Sequence, residues 1–254
     1  MQLTNNTIFI TGGTSGIGRG LAEAFHKLGN KVIIGGRRKA LLDEVTRANP
    51  GMASIELDIA DPASIERAAA RLIADYPALN VLINNAGIMP FDDPSADIDE
   101  ATALSTINTN LLGPIRMTSA LVGHLKKQPR AHIVNNTSIL AYVPLATNAV
   151  YSATKAALHS YTLSQRFMLR DTSVKVQEIA PPWVNTDLIY KGTDPRAMPL
   201  DAFIEQTMQG LATDKEEVVV EMALGLRNNA GPDEHNLVNA FNQEMADNPI
   251  PVGA

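Results

Sequence analysis

The stretch Thr7-Ile8-Phe9-Ile10-Thr11-Gly12-Gly13-Thr14-Ser15-Gly16-Ile17-Gly18, with Leu21, Ala24, Phe25 and Leu28 following it, decides the fold. Residues 7–11 form an apolar run that reads as a strand, and the later apolar residues recur at helical spacing. Between strand and helix lies a glycine-rich turn. Such a turn bends tightly and lets the backbone approach a diphosphate, whose charge the helix N-terminus stabilises. The stretch therefore predicts a dinucleotide phosphate loop, with Gly12, Thr14, Ser15, Gly16, Ile17 and Gly18 as its contacts.

Outward from that loop, short apolar runs alternate with longer helical patterns. Lys31–Gly35, Ala53–Asp58, Val81–Asn84, His132–Thr137 and Val174–Ile179 read as further strands, with about five helices between them. Strands that are apolar throughout are buried on both faces, as in a mostly parallel sheet covered by helices. The expectation is one doubly wound α/β domain of Rossmann type over residues 1–254, with ligands at the carboxyl ends of the strands. Beyond Tyr190, Gly192, Pro195 and Pro199 mark a loop, and Leu200–Leu211, Lys215–Arg227 and Glu234–Met245 read as helices. Residues from about 188 to 254 are expected to form a substrate lid.

Composition narrows the chemistry. A net charge of −6 lacks the positive field that nucleic acid or an anionic membrane surface attracts. The chain contains no cysteine, which excludes disulfides and thiolate metal sites, and its five histidines show no ligand spacing, so no metal is expected. No apolar run reaches the roughly 18 residues of a membrane span, and the polar start at Met1–Asn6 is unlike a signal peptide, so a cytoplasmic location is expected.

Tyr151 and Lys155 stand four apart on a helix pattern, which puts the ammonium and the phenol on one face. A neighbouring positive charge favours phenolate and is expected to draw the phenol pKa toward working pH, as acid/base chemistry requires. The ordered set Thr-Gly-x3-Gly-x-Gly, Asn84-Asn85-Ala86-Gly87, Asn110 within Asn108-Thr109-Asn110-Leu111-Leu112-Gly113, Ser138 and Tyr151-x3-Lys155 resembles the short-chain dehydrogenases/reductases, over roughly residues 7–188. Pro181-Pro182, Thr186-Asp187-Leu188 and Leu169-Arg170-Asp171-Thr172-Ser173 look like the DltE-like oxidoreductase subgroup of that family.

The resemblance implies hydride transfer between a nicotinamide and a carbonyl or secondary alcohol. It assigns the proton to Tyr151, the ribose hydroxyls to Lys155, the substrate oxygen to Ser138 and a solvent-linked water to Asn110, with Asn108 a competitor for that last place. It also puts Asp58 and Ile59 at the adenine, Asn85 and Gly87 along the adenosine, Asn84 between strands, and Val184 and Thr186 at the carboxamide. Asp58 could instead cap its turn, and Asn110 could be a structural capping residue. About 20 residues after the glycine turn, where an NAD-preferring fold carries a carboxylate, the chain reads Ile34-Gly35-Gly36-Arg37-Arg38. Arg37 and Arg38 offer planar cationic forks to a 2′-phosphate, so NADP(H) is expected; a solvated basic turn is the other reading.

Ile139, Tyr142, Val143, Trp183, Leu188 and Tyr190 are expected to make an apolar pocket for a neutral small-molecule carbonyl or alcohol, unless they are core. Lys191, Arg170 and Arg196 are cations that could reach in. Two departures from the family pattern stand out: Pro182 replaces a common glycine, and no closing strand with the usual signature is visible, which favours a homodimer over a tetramer. The rival to an active enzyme is a catalytically silent nucleotide-binding sensor or scaffold, which would need a broken Ser, Tyr, Lys or Asn position; all four are intact.

Overall fold

The computed structural model describes residues 1–189, 192, 194–228 and 233–250; Tyr190 and Lys191 lie outside the described residues. Seven strands form one sheet: β1 (Thr7–Thr11), β2 (Lys31–Gly36), β3 (Ala53–Glu56), β4 (Leu79–Asn84), β5 (Ala131–Asn136), β6 (Val174–Ile179) and β7 (Glu217–Val218). Every pairing is parallel, in the order β3-β2-β1-β4-β5-β6-β7. The helices are α1 (Gly16–Lys27), α2 (Lys39–Ala48), α3 (Pro62–Asp75), α4 (Glu100–Ile107), α5 (Gly113–Leu125), α6 (Ala149–Leu169), α7 (Leu200–Leu211), α8 (Leu224–Arg227) and α9 (Glu234–Asp247).

Strand alternation sends successive side chains to opposite faces, and both faces are apolar. Ile8 and Ile10 pack with Leu21 and Phe25 of α1 and Phe203 of α7, while Phe9 between them packs with Leu72 of α3 and Leu121 of α5. Every residue of β4 and β5 is buried, apolar and polar alike, the polar ones being Asn80, Asn84, His132, Asn135 and Asn136. Local chemistry sets the helix starts where it can: Asp61 accepts from the amides of Ala63 and Ser64, and Pro62 opens α3 with the φ a first turn needs.

Because β1 has β2 on one side and β4 on the other, the winding reverses between β1 and β4, and their carboxyl ends open a crevice. Among the described residues no helix is long and apolar enough to cross a membrane.

Two expectations are corrected here. Lys215–Arg227 is not one helix: it holds β7, a short 3₁₀ turn over Glu221–Ala223, and α8. The run Val218-Val219-Val220 is β-branched, and β6 offers it an open edge; the amide of Ala180 donates to Val218 O at 3.1 Å and that of Glu178 to Glu216 O at 2.9 Å. The sheet therefore does have a closing strand, two residues long, although its sequence lacks the expected signature. The inference of a dimer from a missing strand loses its premise. The strand bounds also differ slightly: β3 ends at Glu56 and β4 begins at Leu79.

Phe9 is fully buried between β1 and the helices α3 and α5. Phe9→Ala should lower unfolding stability by about 3–5 kcal/mol, measured by chemical denaturation, with Leu163→Ala on the exposed face of α6 as the near-neutral control.

Candidate active site

The end of β1 is locked to its neighbours before it turns. The amides of Gly12 and Gly13 donate to Gly35 O of β2 at 2.8 and 3.1 Å. On the other side the Thr11 hydroxyl accepts from the amides of Asn85 and Ala86 at 3.0 and 3.1 Å, and Asn85 Nδ2 donates to Thr11 O at 3.0 Å. Gly12 has φ +69°, and a Cβ at Gly18 would collide with Gly12 O and Asn85 Nδ2. Only glycines therefore let the first turn of α1 lie this close to the end of β4.

From this loop opens a cleft of about 950 Å³. Gly12, Thr14, Ser15, Gly16, Ile17 and Gly18 line one end, with Arg37, Arg38, Asp58 and Ile59 beyond them and Asn85 and Gly87 on the floor. Val184 and Thr186 line the opposite wall, where Thr186 lies against Gly16. Arg37 and Arg38 are exposed at the end of β2, Arg38 within 3.5 Å of the Thr14 hydroxyl. Asp58 does cap its turn, accepting from the amide of Ala60 at 3.0 Å, and still lines the cleft. Asn84 ties β4 to its surroundings, donating to Thr118 Oγ1 at 3.0 Å and Asn135 Oδ1 at 2.9 Å.

Ser138, Tyr151 and Lys155 converge in the middle of the cleft. Ser138 begins a 3₁₀ turn after β5, its Oγ accepting from Leu140 N at 3.1 Å. Lys155 Nζ donates to Asn136 O at 2.8 Å. Asn110 lies one layer behind, in a π-helical turn over Asn108–Leu112 that joins α4 to α5. Its amide makes a reciprocal pair with Ile88, accepting from Ile88 N at 2.9 Å and donating to Ile88 O at 2.8 Å. Asn108 instead lies within 3.5 Å of Arg116.

Burial governs both ionisable groups. It pushes the Tyr151 phenol up to about 12, the Ser138 hydroxyl acting the other way, and pushes Lys155 down to about 8, opposed by the Glu178 carboxylate. The expectation that Lys155 pulls the phenol downward is corrected: Nζ is drawn to Asn136 O and stands 5.5 Å from the Tyr151 ring centroid.

Of the expected pocket residues, Ile139, Trp183 and Leu188 line the cleft. Val143 is fully buried core, and Tyr142 faces away into a polar cluster. There its hydroxyl meets His159 Nδ1 at 3.0 Å and Glu217, under the Arg227 guanidinium, while buried Glu178 accepts from His159 at 2.9 Å and Thr137 at 2.6 Å. Arg170 is exposed on Phe167, away from the cleft. Arg196 does line it but is paired with Asp194 at 2.7 Å and stacked over Trp183 at 5.2 Å. The Pro181-Pro182 turn is held by Ile139 N donating to Pro181 O at 2.9 Å. Sequence reasoning missed Thr11 and Asn136, and it missed Met222, Phe241, Met245 and Ile250, which line the far end. The half-buried stripe Leu237, Phe241, Met245 at helical spacing was the available signal for the last group.

A family model described as short chain dehydrogenase matches residues 6–196. The chain belongs to the short-chain dehydrogenase family. Within this oxidoreductase family it is 40% identical to the uncharacterized oxidoreductase DltE of Bacillus subtilis, over 96% of this chain and 99% of that one. It is 32% identical to the NADP-dependent 3-hydroxy acid dehydrogenase YdfG of Shigella flexneri, over 75% of this chain and 79% of the relative. A crystal structure of a short chain dehydrogenase from Burkholderia cenocepacia in complex with NADP superposes with a TM-score of 0.80 at 28% identity, covering 99% of this chain and 100% of the other.

In this short-chain dehydrogenase a buried lysine works against stability. Lys155 is deprotonated more readily folded, about 8, than unfolded, 10.5, so its burial cost is full below pH 8 and fades as pH rises from 8 to 10.5. Lys155→Met should therefore raise the melting temperature of the nucleotide-free protein at pH 7, with the gain shrinking toward pH 10.5; calorimetry across that range checks it.

Proposed function

We propose that this chain is an NADP(H)-dependent oxidoreductase acting on a neutral carbonyl/secondary-alcohol pair, with Tyr151 as the acid/base. The observation that carries the reading is the meeting of Ser138, Tyr151 and Lys155 in one cleft with the glycine loop. The cleft suits a dinucleotide: glycines at 12 and 18 let the loop and the start of α1 pack tightly against the end of β4, and the N-terminus of α1, which lines the cleft, would favour an anion through its free amides and dipole. A nicotinamide held there would supply or accept the hydride.

The protein's own groups manage the proton. In reduction the Tyr151 phenol, kept protonated by burial, donates to the nascent alkoxide while the Ser138 hydroxyl holds the same oxygen. Lys155, fixed by Asn136 O, would offer a donor to the ribose hydroxyls. A Cβ at Gly87 would stand 3.3 Å from Asn110 Oδ1 and 3.9 Å from Lys155 Nζ, so both flank one small space; this supports Asn110 as holder of a water that re-protonates the lysine. Asp58 and Ile59 would hold the adenine, Asn85 and Gly87 the adenosine, and Val184 and Thr186 the carboxamide, and all of them line the cleft.

Tyr151→Phe keeps ring volume and removes the donor. Turnover of NADPH with ketones or aldehydes should fall by about 10²–10⁴-fold with nucleotide affinity retained. Near-normal turnover would sink the mechanism, and tight binding by a wild type that turns nothing over would favour the sensor reading.

The cofactor preference rests on Arg37 and Arg38, exposed at the cleft, with no carboxylate at the end of β2. The NADP bound to the Burkholderia relative and the NADP dependence of YdfG support the same choice. Arg37→Asp should weaken NADPH by about 2 kcal/mol or more while changing NADH little, because a charge-assisted contact becomes a repulsion. Dissociation constants for both nucleotides decide it; wild-type protein binding NADH as tightly as NADPH refutes the assignment.

A further inference from the structure

We infer that the substrate carries an extended apolar chain on its carbonyl carbon, laid beneath α9. This deepens, and rests on, the reading of Tyr151 as acid/base. Tyr151 belongs to a continuous apolar cluster that includes Ile139, Leu140 and Leu145, and Phe241, Met245 and Ile250 pack against the same cluster from above. These last three also line the cleft, with Met222 and Leu226 beside them.

The helix is anchored over this space without filling it. None of its residues is fully buried; Phe241 and Met245, one turn apart on one face, are half-buried. Yet it is tied down at its middle and just past its C-terminus. Asn242 Nδ2 donates to Pro144 O at 3.0 Å, and Arg196 donates to Asn248 O and, at 3.3 Å, to Pro249 O. A helix held in place whose apolar stripe remains partly uncovered has burial left to give, and an apolar ligand chain supplies the missing surface.

Charge excludes the other occupants. Among the described residues, the charged lining groups at this end are Asp187, Arg196 and Glu244. Asp187 and Glu244 are exposed carboxylates, and Arg196 is committed to Asp194 at 2.7 Å. A substrate with a distal carboxylate or phosphate would meet two like charges and a cation already paired.

The test uses aldehydes from butanal to decanal with NADPH and the full-length protein. Specificity, kcat/KM, should climb by up to about fourfold for each added methylene until the chain leaves the cleft. Met245→Glu should flatten that climb, and Met245→Leu should retain it. A flat series in the wild type, or a preference for succinic semialdehyde over pentanal, overturns the inference while leaving the proposed chemistry standing. Trp183, the chain's one tryptophan, lines the cleft and reports binding without turnover. Its fluorescence should show decanol binding tighter than butanol, and Met245→Glu should abolish the difference. Equal affinities overturn the inference; a decanol preference with no turnover of any aldehyde upholds the chain site and removes the chemistry.

Discussion

The hydroxyl of Thr11 and the side chain of Asn85 clamp the ends of β1 and β4 together, and the cleft is built outward from that clamp. Two parallel strands whose connections leave in opposite directions must part at their carboxyl ends, which would strand backbone donors and acceptors in a half-buried crevice. Here side chains meet them. Asn85 Nδ2 donates to Thr11 O and Gly12 O, Asn85 Oδ1 accepts from Asn136 Nδ2 at 2.9 Å, and Asn136 O accepts from Lys155 Nζ. One line of hydrogen bonds thus runs from the glycine loop across β4 and β5 to the helix that carries Tyr151.

A second line lies one register deeper. Asn84 bonds to Asn135, and Asn135 Nδ2 reaches Thr162 Oγ1 at 2.9 Å and Gln165 Oε1 at 3.0 Å on α6. Amides suit this work because each both donates and accepts, so a buried row is bridged without a net charge, although Asn84 Oδ1 and Asn136 Oδ1 are left without a partner. The positions of Ser138 and Tyr151 relative to the loop are therefore set by strand pairing and polar bridges as well as by hydrophobic contact.

Stability and chemistry pull against each other at Lys155. Burying an ammonium is unfavourable, and the fold offsets part of that with Asn136 O and with the nearby charge of Glu178. Glu178 is itself buried at 0% exposure and held by Thr137 and His159, in a cluster that also draws in Tyr142, Glu217 and Arg227. This cluster ties α6 to β6, β7 and α8, so the helix of Tyr151 and Lys155 is braced from the side opposite the cleft.

The amino-acid sequence by itself determined the elements whose signal is local. The glycine turn, the largely apolar strands and the i,i+4 placement of Tyr151 and Lys155 depend on residues within a few positions of one another, and the strand-turn-helix start and the parallel sheet followed from them, whereas Ser138 was singled out only by the family resemblance. The tertiary structure alone decided what depends on distant partners. Val218 became a strand because β6 left an edge open, and Tyr142 turned from the cleft because Glu217, 75 residues on, offered its phenol a carboxylate. Burial reversed the expected direction of the Tyr151 pKa, since the desolvation of a phenol is set by everything packed around it and outweighs one charge four residues away. Phe241 and Met245 came to roof the far end for the same kind of reason: an apolar stripe states that a helix must be covered, and only the folded chain states by what.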